Sequence, residues 1–168
     1  MYKHSLVTMI FIFSSSIINA EMTAIPSHLA QFEKTNICIG CDLSEANLIY
    51  THHDNANLSQ ALLTKANLGS ADFHSSNFSN AQIMYANLGW LHASGSNFTS
   101  TNLSGSNLSY SNLTSSNFTD AILAGADFSN TNLARAIISK EQLASTRSLS
   151  CAILPDGTRH TADSGNSC

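Results

Sequence analysis

The sequence has little charge, little proline and no long apolar run. Only 11% of its 168 residues are charged and only two are proline, whereas an ordinary globular chain has about 25% charged residues. The net charge of −4 excludes the basic surface of a typical nucleic-acid-binding protein. A membrane-spanning helix needs about 20 apolar residues, and the longest apolar run of this chain is much shorter.

That run belongs to an N-terminal segment with the pattern of an export signal. Lys3 provides a basic start, residues 6–13 are mostly apolar, and Ala20 ends a stretch of small and polar residues. We therefore expect residues 1–20 to be a signal peptide. The mature protein would be periplasmic or extracellular, without a membrane segment and with a net charge of −5, because cleavage removes Lys3.

Four cysteines are present: Cys38, Cys41, Cys151 and Cys168. An even number in an exported chain favours disulfides. The spacing of Cys38 and Cys41 also permits a redox or zinc site. However, the sequence shows no βαβ scaffold for a redox site, and the other two cysteines do not form a second close pair for zinc.

A five-residue period runs through residues 41–138. The central position of each step is Leu, Ile or Phe in eighteen of twenty cases, the residue two before it is small in nineteen, and the residue between them is Asn or Asp in fourteen. Neither a helix nor a strand has this period. A repeat this short can bury its apolar residue only by stacking on copies of itself.

The triplets Ala46-Asn47-Leu48 and Ala66-Asn67-Leu68 resemble the pentapeptide-repeat family. The resemblance extends over about residues 27–160, including the Cys38-x-x-Cys41 start and the Pro-Asp-Gly tail. It implies an all-β fold, a right-handed quadrilateral β-helix with four repeats per coil. The twenty repeats would then form about five coils, and about 4.8 Å per coil gives a rod of about 24 Å.

The predicted organisation is a signal peptide (1–20), an N-terminal cap (21–40), the solenoid (41–138), and a C-terminal capping helix with a tail (139–168). The first cap reads as a helix over residues 27–35, with Ser27 as N-cap and with Leu29 and Phe32 on one face. Ser139 begins a capping-box pattern with Gln142, and Pro155-Asp156-Gly157 predicts a turn.

Three departures from the regular pattern lead to further predictions about the interior. Leu91 and Ala93 exchange the large and small positions, which conserves interior volume. His53 occupies a central position, so we expect a local distortion there, because a buried imidazole without a partner is unfavourable. Cys38 and Cys41 should point inward. Because a disulfide across the rod would be too long, pairs within each end are favoured.

In such a fold, residues twenty apart form columns on the surface. One column consists of Tyr50, Ser70, Trp90, Tyr110 and Asn130, and three of these five residues are aromatic. It could bind a sugar or a protein partner, or its rings could merely shield the coil corners. Neither partner can be named from the sequence, and the oligomeric state stays open.

A second column holds Asp54, His74, Ser94 and Thr114, with His52, His53 and His92 on the same side. Asp54 and His74 are weak candidates for metal ligands, although an ordinary hydrogen-bonded pair is favoured. We expect no cofactor and no enzyme activity, because no residue is placed as a nucleophile with its own base.

The sequence thus predicts an exported, non-catalytic structural or binding protein. The family resemblance offers an alternative, a DNA-mimicking protein that protects or inhibits a topoisomerase such as gyrase. That role needs a dense acidic surface, whereas the repeats carry only six acidic and two basic residues. The predicted export also argues against it.

Overall fold

The computed structural model describes residues 24–162 and Cys168, so the predicted signal peptide lies outside the described residues. Helix α1 spans Pro26–Thr35 and helix α2 spans Lys140–Ala144. Between them, every repeat consists of a turn and an isolated β-bridge, and no longer strand occurs within residues 24–162.

The bridges are parallel and join residues twenty positions apart, from Ile37–Asn57 to Asn117–Ile137. The backbone N–H of Leu68 donates to the carbonyl of Asn87 at 2.7 Å, and the same bond recurs along the chain. This register is the one that four five-residue repeats per coil require. Beyond α2 the spacing grows to twenty-one, as in Asp127–Ser148, because the helical segment adds one residue.

The central residues of the repeats form the core. All of them are buried except Ile138, which is partly buried. Phe78, Phe98 and Phe118 stack in parallel, with ring centroids 4.9 and 5.0 Å apart. Leu91 and Ala93 are both fully buried, which confirms their exchange of the large and small positions.

Seven small positions near the core carry hydroxyls that bond to the backbone. The Ser96 hydroxyl donates to the Phe73 carbonyl at 2.7 Å, and the Thr101 hydroxyl donates to the Phe78 carbonyl at the same distance. The seven buried positions are Ser76, Ser96, Thr101, Ser106, Ser111, Ser116 and Thr131. The half-buried Thr51 hydroxyl also donates to a backbone carbonyl, that of Leu48, at 2.6 Å. A buried hydroxyl without such a partner would destabilise the fold, so these bonds explain why Ser and Thr replace Ala here.

The corners are closed by asparagine side chains. The Asn97 side-chain oxygen accepts from the N–H of Thr99 at 3.0 Å, and Asn57 accepts from Ser59 at 3.2 Å. Asn and Asp favour turns because their side chains can bond to nearby backbone in this way. The last residue of each repeat then has a positive φ, for example 63° at Trp90, and its side chain projects from the corner.

The first helix begins earlier than expected. Ile25 is the N-cap, and no side chain caps the helix, so the assignment of Ser27 was wrong. Pro26 is the reason, because its fixed φ suits the first helical position. Phe32 is fully buried and Leu29 is partly buried against the core, as predicted.

His53 lies under this helix without distorting the repeat, so the expected distortion was wrong. Its N–H donates to the Asp72 carbonyl at 2.8 Å, in the regular register. Its ring packs against both Phe32 and Phe73, with centroids 4.3 and 5.4 Å away. Nδ1 lies 2.6 Å from the Asn36 side-chain oxygen, whereas Nε2 is buried without a partner in the structure. The flat imidazole therefore fills a position that Leu or Phe usually occupies.

The second helix has the predicted capping box between Ser139 and Gln142. The Gln142 amide also donates to the carbonyls of Phe118 and Ala121, at 2.6 and 2.8 Å. These bonds attach α2 to the last repeats. The predicted turn at residues 155–157 is present, since the N–H of Gly157 donates to the Leu154 carbonyl at 2.9 Å.

Each end of the described chain has one disulfide, and both disulfides are local. The Cα atoms of Cys38 and Cys41 lie 5.2 Å apart, and those of Cys151 and Cys168 lie 5.4 Å apart. Cys38 and Cys41 are buried, as the repeat phase predicted. The local pairing therefore agrees with the expectation, and it leaves no thiol available for a redox or zinc site among the described cysteines.

Candidate functional site

Tyr50, Trp90 and Tyr110, called here the aromatic column, project from the same corner. Each has a positive φ near 60°, and 70%, 57% and 49% of their surfaces are exposed. Trp90 and Tyr110 stack with centroids 4.5 Å apart and planes 5° apart. Ser70 occupies the position between Tyr50 and Trp90, so the column has a gap where only a small side chain stands.

Beside the aromatic column runs a ladder of asparagine amides. The Asn87 amide donates to the Asn67 oxygen at 2.9 Å, and the Asn107 amide donates to the Asn87 oxygen at 3.2 Å. Gly69 leaves room for this ladder, because a Cβ there would lie 3.1 Å from the Asn67 oxygen. This face therefore combines exposed rings with aligned polar groups.

A fourth exposed aromatic residue lies away from the column. Tyr85 is 67% exposed, and its ring covers Gly105, where an added Cβ would lie 2.7 Å from ring carbons. Tyr85 is thus an aromatic side chain of similar exposure on a different corner. It offers a matched comparison for any experiment on the aromatic column.

The surface histidines gather around one carboxylate. One carboxylate oxygen of Asp72 lies 2.5 Å from His52 Nδ1, and the other lies 2.9 Å from His92 Nδ1. Burial raises the pKa of Asp72, but the bonds to these two imidazoles outweigh that effect and lower the pKa below its ordinary value. His74 lies beside His92, with ring centroids 6.1 Å apart.

Asp54 and His74 form a hydrogen-bonded pair, as the sequence favoured, but through the backbone of His74. Asp54 accepts the backbone N–H of His74 at 2.9 Å, and the His74 ring bonds through Nδ1 to the Ser94 hydroxyl at 2.8 Å. His53 points into the core instead of joining the cluster. Asp72 was missed, although its position twenty residues from both His52 and His92 is the signal that identifies it.

The contact between His74 and Ser94 has the distance of a base and a nucleophile, which the sequence analysis did not expect. The imidazole has no orienting carboxylate in the described structure, because Asp54 bonds to the backbone of His74 and Asp72 bonds to His52 and His92. An oriented base is what nucleophilic catalysis requires. These described residues therefore do not complete a triad of nucleophile, base and carboxylate.

A sequence profile that describes eight successive pentapeptide repeats matches residues 41–80, 81–120 and 111–140. The chain belongs to the pentapeptide-repeat family. Pentapeptide-repeat proteins fold as right-handed quadrilateral β-helices, and this is the fold class of the present chain. A search of curated proteins found no significant match.

Several solved pentapeptide-repeat proteins are similar to this one. One, from the thylakoid lumen of Arabidopsis thaliana, is 22% identical over 65% of this chain and 73% of that one, with a TM-score of 0.44. Rfr23 from the cyanobacterium Cyanothece 51142 is 25% identical over 71% and 96%, with a TM-score of 0.40. QnrB1, a plasmid-mediated fluoroquinolone resistance protein, is 19% identical over 56% and 51%, with a TM-score of 0.37.

Proposed function

We propose that this pentapeptide-repeat protein is an exported, non-catalytic binding protein that docks a glycan on its aromatic column. The observation that carries the proposal is the stacked, solvent-exposed pair of Trp90 and Tyr110. Exposed large aromatic side chains are enriched where a partner covers them. The adjacent ladder of Asn67, Asn87 and Asn107 supplies donors and acceptors for sugar hydroxyls.

The alternative, that these rings only shield the coil corners, is less well supported. Other corners with the same positive φ carry small or polar residues, such as Ser75, Gly95, Ser100 and Ser115. The backbone at a corner therefore does not need an aromatic cover. In a chain with only 8% aromatic residues, three on one column call for another reason.

Export is supported by the two disulfides together with the N-terminal sequence pattern. Disulfides persist in oxidising compartments such as the periplasm and the cell exterior, and all four cysteines are paired. Within the described residues, neither helix has the length or apolar character needed to cross a bilayer. Cell fractionation combined with mass spectrometry tests this part, and an unprocessed protein confined to the cytoplasm would contradict it.

We further infer that the repeats wind into about five coils and that α1 and α2 cap the two ends. The buried ring of Phe32 supports the first cap, because it stacks on Phe73 with centroids 6.2 Å apart and planes 1° apart. The bonds from Gln142 to the Phe118 and Ala121 carbonyls support the second. Solenoids need such covers because their ends otherwise expose apolar side chains and backbone groups.

The DNA-mimic alternative receives less support, because several acidic side chains are paired. Glu45 lies 3.2 Å from Lys65, and Asp127 lies 2.6 Å from Arg147. Asp72 is bonded to two histidines. Three of the six acidic side chains of the repeats are thus paired with basic groups, which weakens the dense acidic surface that a DNA mimic needs.

A glycan array followed by calorimetric titration of the best ligand tests the docking proposal. Wild type, Trp90→Ala, Tyr110→Ala and the matched control Tyr85→Ala would be compared. We expect the two column variants to lose at least about 1 kcal/mol of binding free energy, with Tyr85→Ala unchanged. Equal binding by wild type and Trp90→Ala would contradict the proposal, as would the absence of any glycan ligand.

A further inference from the structure

The cluster beneath His92 contains a compact set of metal-binding atoms. One atom each from Asp72, His74 and His92 lies within 4.8 Å of the other two. Asp72 and His74 are half-buried, whereas His92 is exposed. We propose that Asp72, His74 and His92 bind a divalent transition-metal ion such as Zn²⁺. This site is independent of the glycan-docking proposal.

The repeat register brings these residues together on a rigid lattice. Asp72 and His92 are bridged partners twenty positions apart, so they occupy adjacent places in one column. His74 is two residues beyond Asp72, after the buried Phe73, and begins the turn of the same repeat. The backbone bonds from Phe73 to His92 at 2.7 Å and from His92 to Ala71 at 3.0 Å fix this arrangement.

The donor set suits a borderline divalent ion. Imidazole nitrogen with carboxylate oxygen is a common combination for Zn²⁺, Cu²⁺ and Ni²⁺. Bonds of about 2.0–2.2 Å to Zn²⁺ place its ligand atoms about 4 Å or less apart. The candidate ligand atoms lie up to 4.8 Å apart, so small side-chain rotations bring them to bonding distance of one ion. Water would fill the remaining coordination positions.

Two neighbouring side chains are placed to orient the ligands. His52 bonds at 2.5 Å to one Asp72 oxygen, and His92 bonds to the other. Ser94 lies 2.8 Å from His74 Nδ1, where its hydroxyl can accept a ring N–H. Ligating carboxylates and imidazoles are usually held by such outer contacts. We assign His52 and Ser94 as positioning residues, not as ligands.

Titration of the untagged, metal-stripped protein with ZnCl₂ in a calorimeter at about pH 7.5, where imidazoles are mostly neutral, tests the site. Wild type is expected to bind one ion per chain. His74→Ala and His92→Ala should each weaken affinity at least about tenfold. His160→Ala is the matched control, because His160 lies in the C-terminal tail, and it should bind like wild type.

A second readout keeps the result independent of any folding defect in the variants. In imidazole NMR spectra of the wild-type protein, Zn²⁺ should shift the His74 and His92 signals and leave those of His28 and His160 in place. Circular dichroism would verify that the variants stay folded. The proposal is wrong if wild type shows no saturable binding, if both variants bind like wild type, or if His160→Ala loses as much affinity as they do.

Discussion

The indole ring of Trp90 lies against the phenol ring of Tyr110, with centroids 4.5 Å apart and planes nearly parallel at 5°. The two residues are twenty positions apart, which is the spacing of the backbone bridges. The stack is therefore produced by the register of the repeat, and both surface proposals depend on that register. The histidine cluster arises in the same way, from His52, Asp72 and His92.

The stack between Trp90 and Tyr110 should be measurable as a coupling energy. A double-mutant cycle with Trp90→Ala and Tyr110→Ala, measured by the free energy of unfolding, is expected to give a coupling energy of about 0.5–1.5 kcal/mol. Trp90 is the only tryptophan, so its fluorescence should shift to longer wavelength in Tyr110→Ala. An emission spectrum unchanged by Tyr110→Ala but shifted by Tyr85→Ala would contradict the observed stack.

The phenylalanine stack in the core should tolerate replacement by leucine but not by alanine. Phe98 is fully buried between Phe78 and Phe118. Phe98→Ala should lower the free energy of unfolding by about 3–5 kcal/mol because it leaves a cavity. Phe98→Leu restores the commonest residue of the repeat and should cost less than about 1.5 kcal/mol. Denaturant unfolding of both variants measures the difference, and equal losses would argue against a tightly packed interior.

His53 should make the fold sensitive to mild acid. Burial lowers the pKa of His53 below its ordinary value of 6.5, and the opposing charge of Glu33 is a smaller effect. The unfolded chain therefore binds a proton at a higher pH than the folded chain does. Stability should be fully present above about pH 6.5 and should fall as pH decreases toward the lowered pKa of the folded state.

The variant His53→Leu isolates this effect. It should raise the free energy of unfolding by about 1 kcal/mol, because it removes the buried Nε2 that has no partner. The variant should also show a weaker pH dependence of the free energy of unfolding just below pH 6.5. Thermal unfolding of both proteins in buffer with a chelator, from neutral to mildly acidic pH, checks both statements. If the two proteins have parallel pH profiles, His53 is not the responsible group.

Gln142 should hold α2 against the last repeats. Its side chain accepts the N–H of Ser139 and donates to the carbonyls of Phe118 and Ala121. Gln142→Ala is expected to weaken local protection by about 1–3 kcal/mol, because these groups lose their partners. Hydrogen exchange should accelerate within Lys140–Ala144 but not near Leu88. The neighbouring exposed residue gives a control, Lys140→Ala, which should leave exchange unchanged.

Much of the fold could be predicted because the sequence repeats one short pattern. The five-residue period identified the buried positions and the inward direction of Cys38 and Cys41, and the spacing of Ser139 and Gln142 identified the capping box. The pattern could not reveal that buried hydroxyls such as Ser96 and Thr101 bond to the backbone carbonyls of earlier repeats. The sequence pattern shows only that the side chains at those positions are small. The start of α1 was missed because Pro26 outweighed the capping preference of Ser27.

The candidate sites were predicted less completely. Columns of residues twenty apart identified Tyr50, Trp90 and Tyr110, and the structure adds that two of the rings stack. The sequence paired His74 with Asp54 along a single column, and that metal candidate stays untested. The observed group joins two neighbouring columns. Side-chain direction and rotamer decide such diagonal contacts, and a repeat pattern does not contain them.

Methyl NMR on leucine-labelled protein tests the twenty-residue register most directly. The Leu68 N–H bonds to the Asn87 carbonyl and the Leu88 N–H bonds to the Asn107 carbonyl, both at 2.7 Å. Leu88 methyl groups should therefore show nuclear Overhauser contacts to the methyl groups of both Leu68 and Leu108. If Leu88 has contacts only to residues close in sequence, the columns do not exist, and both the aromatic and the metal proposals fail.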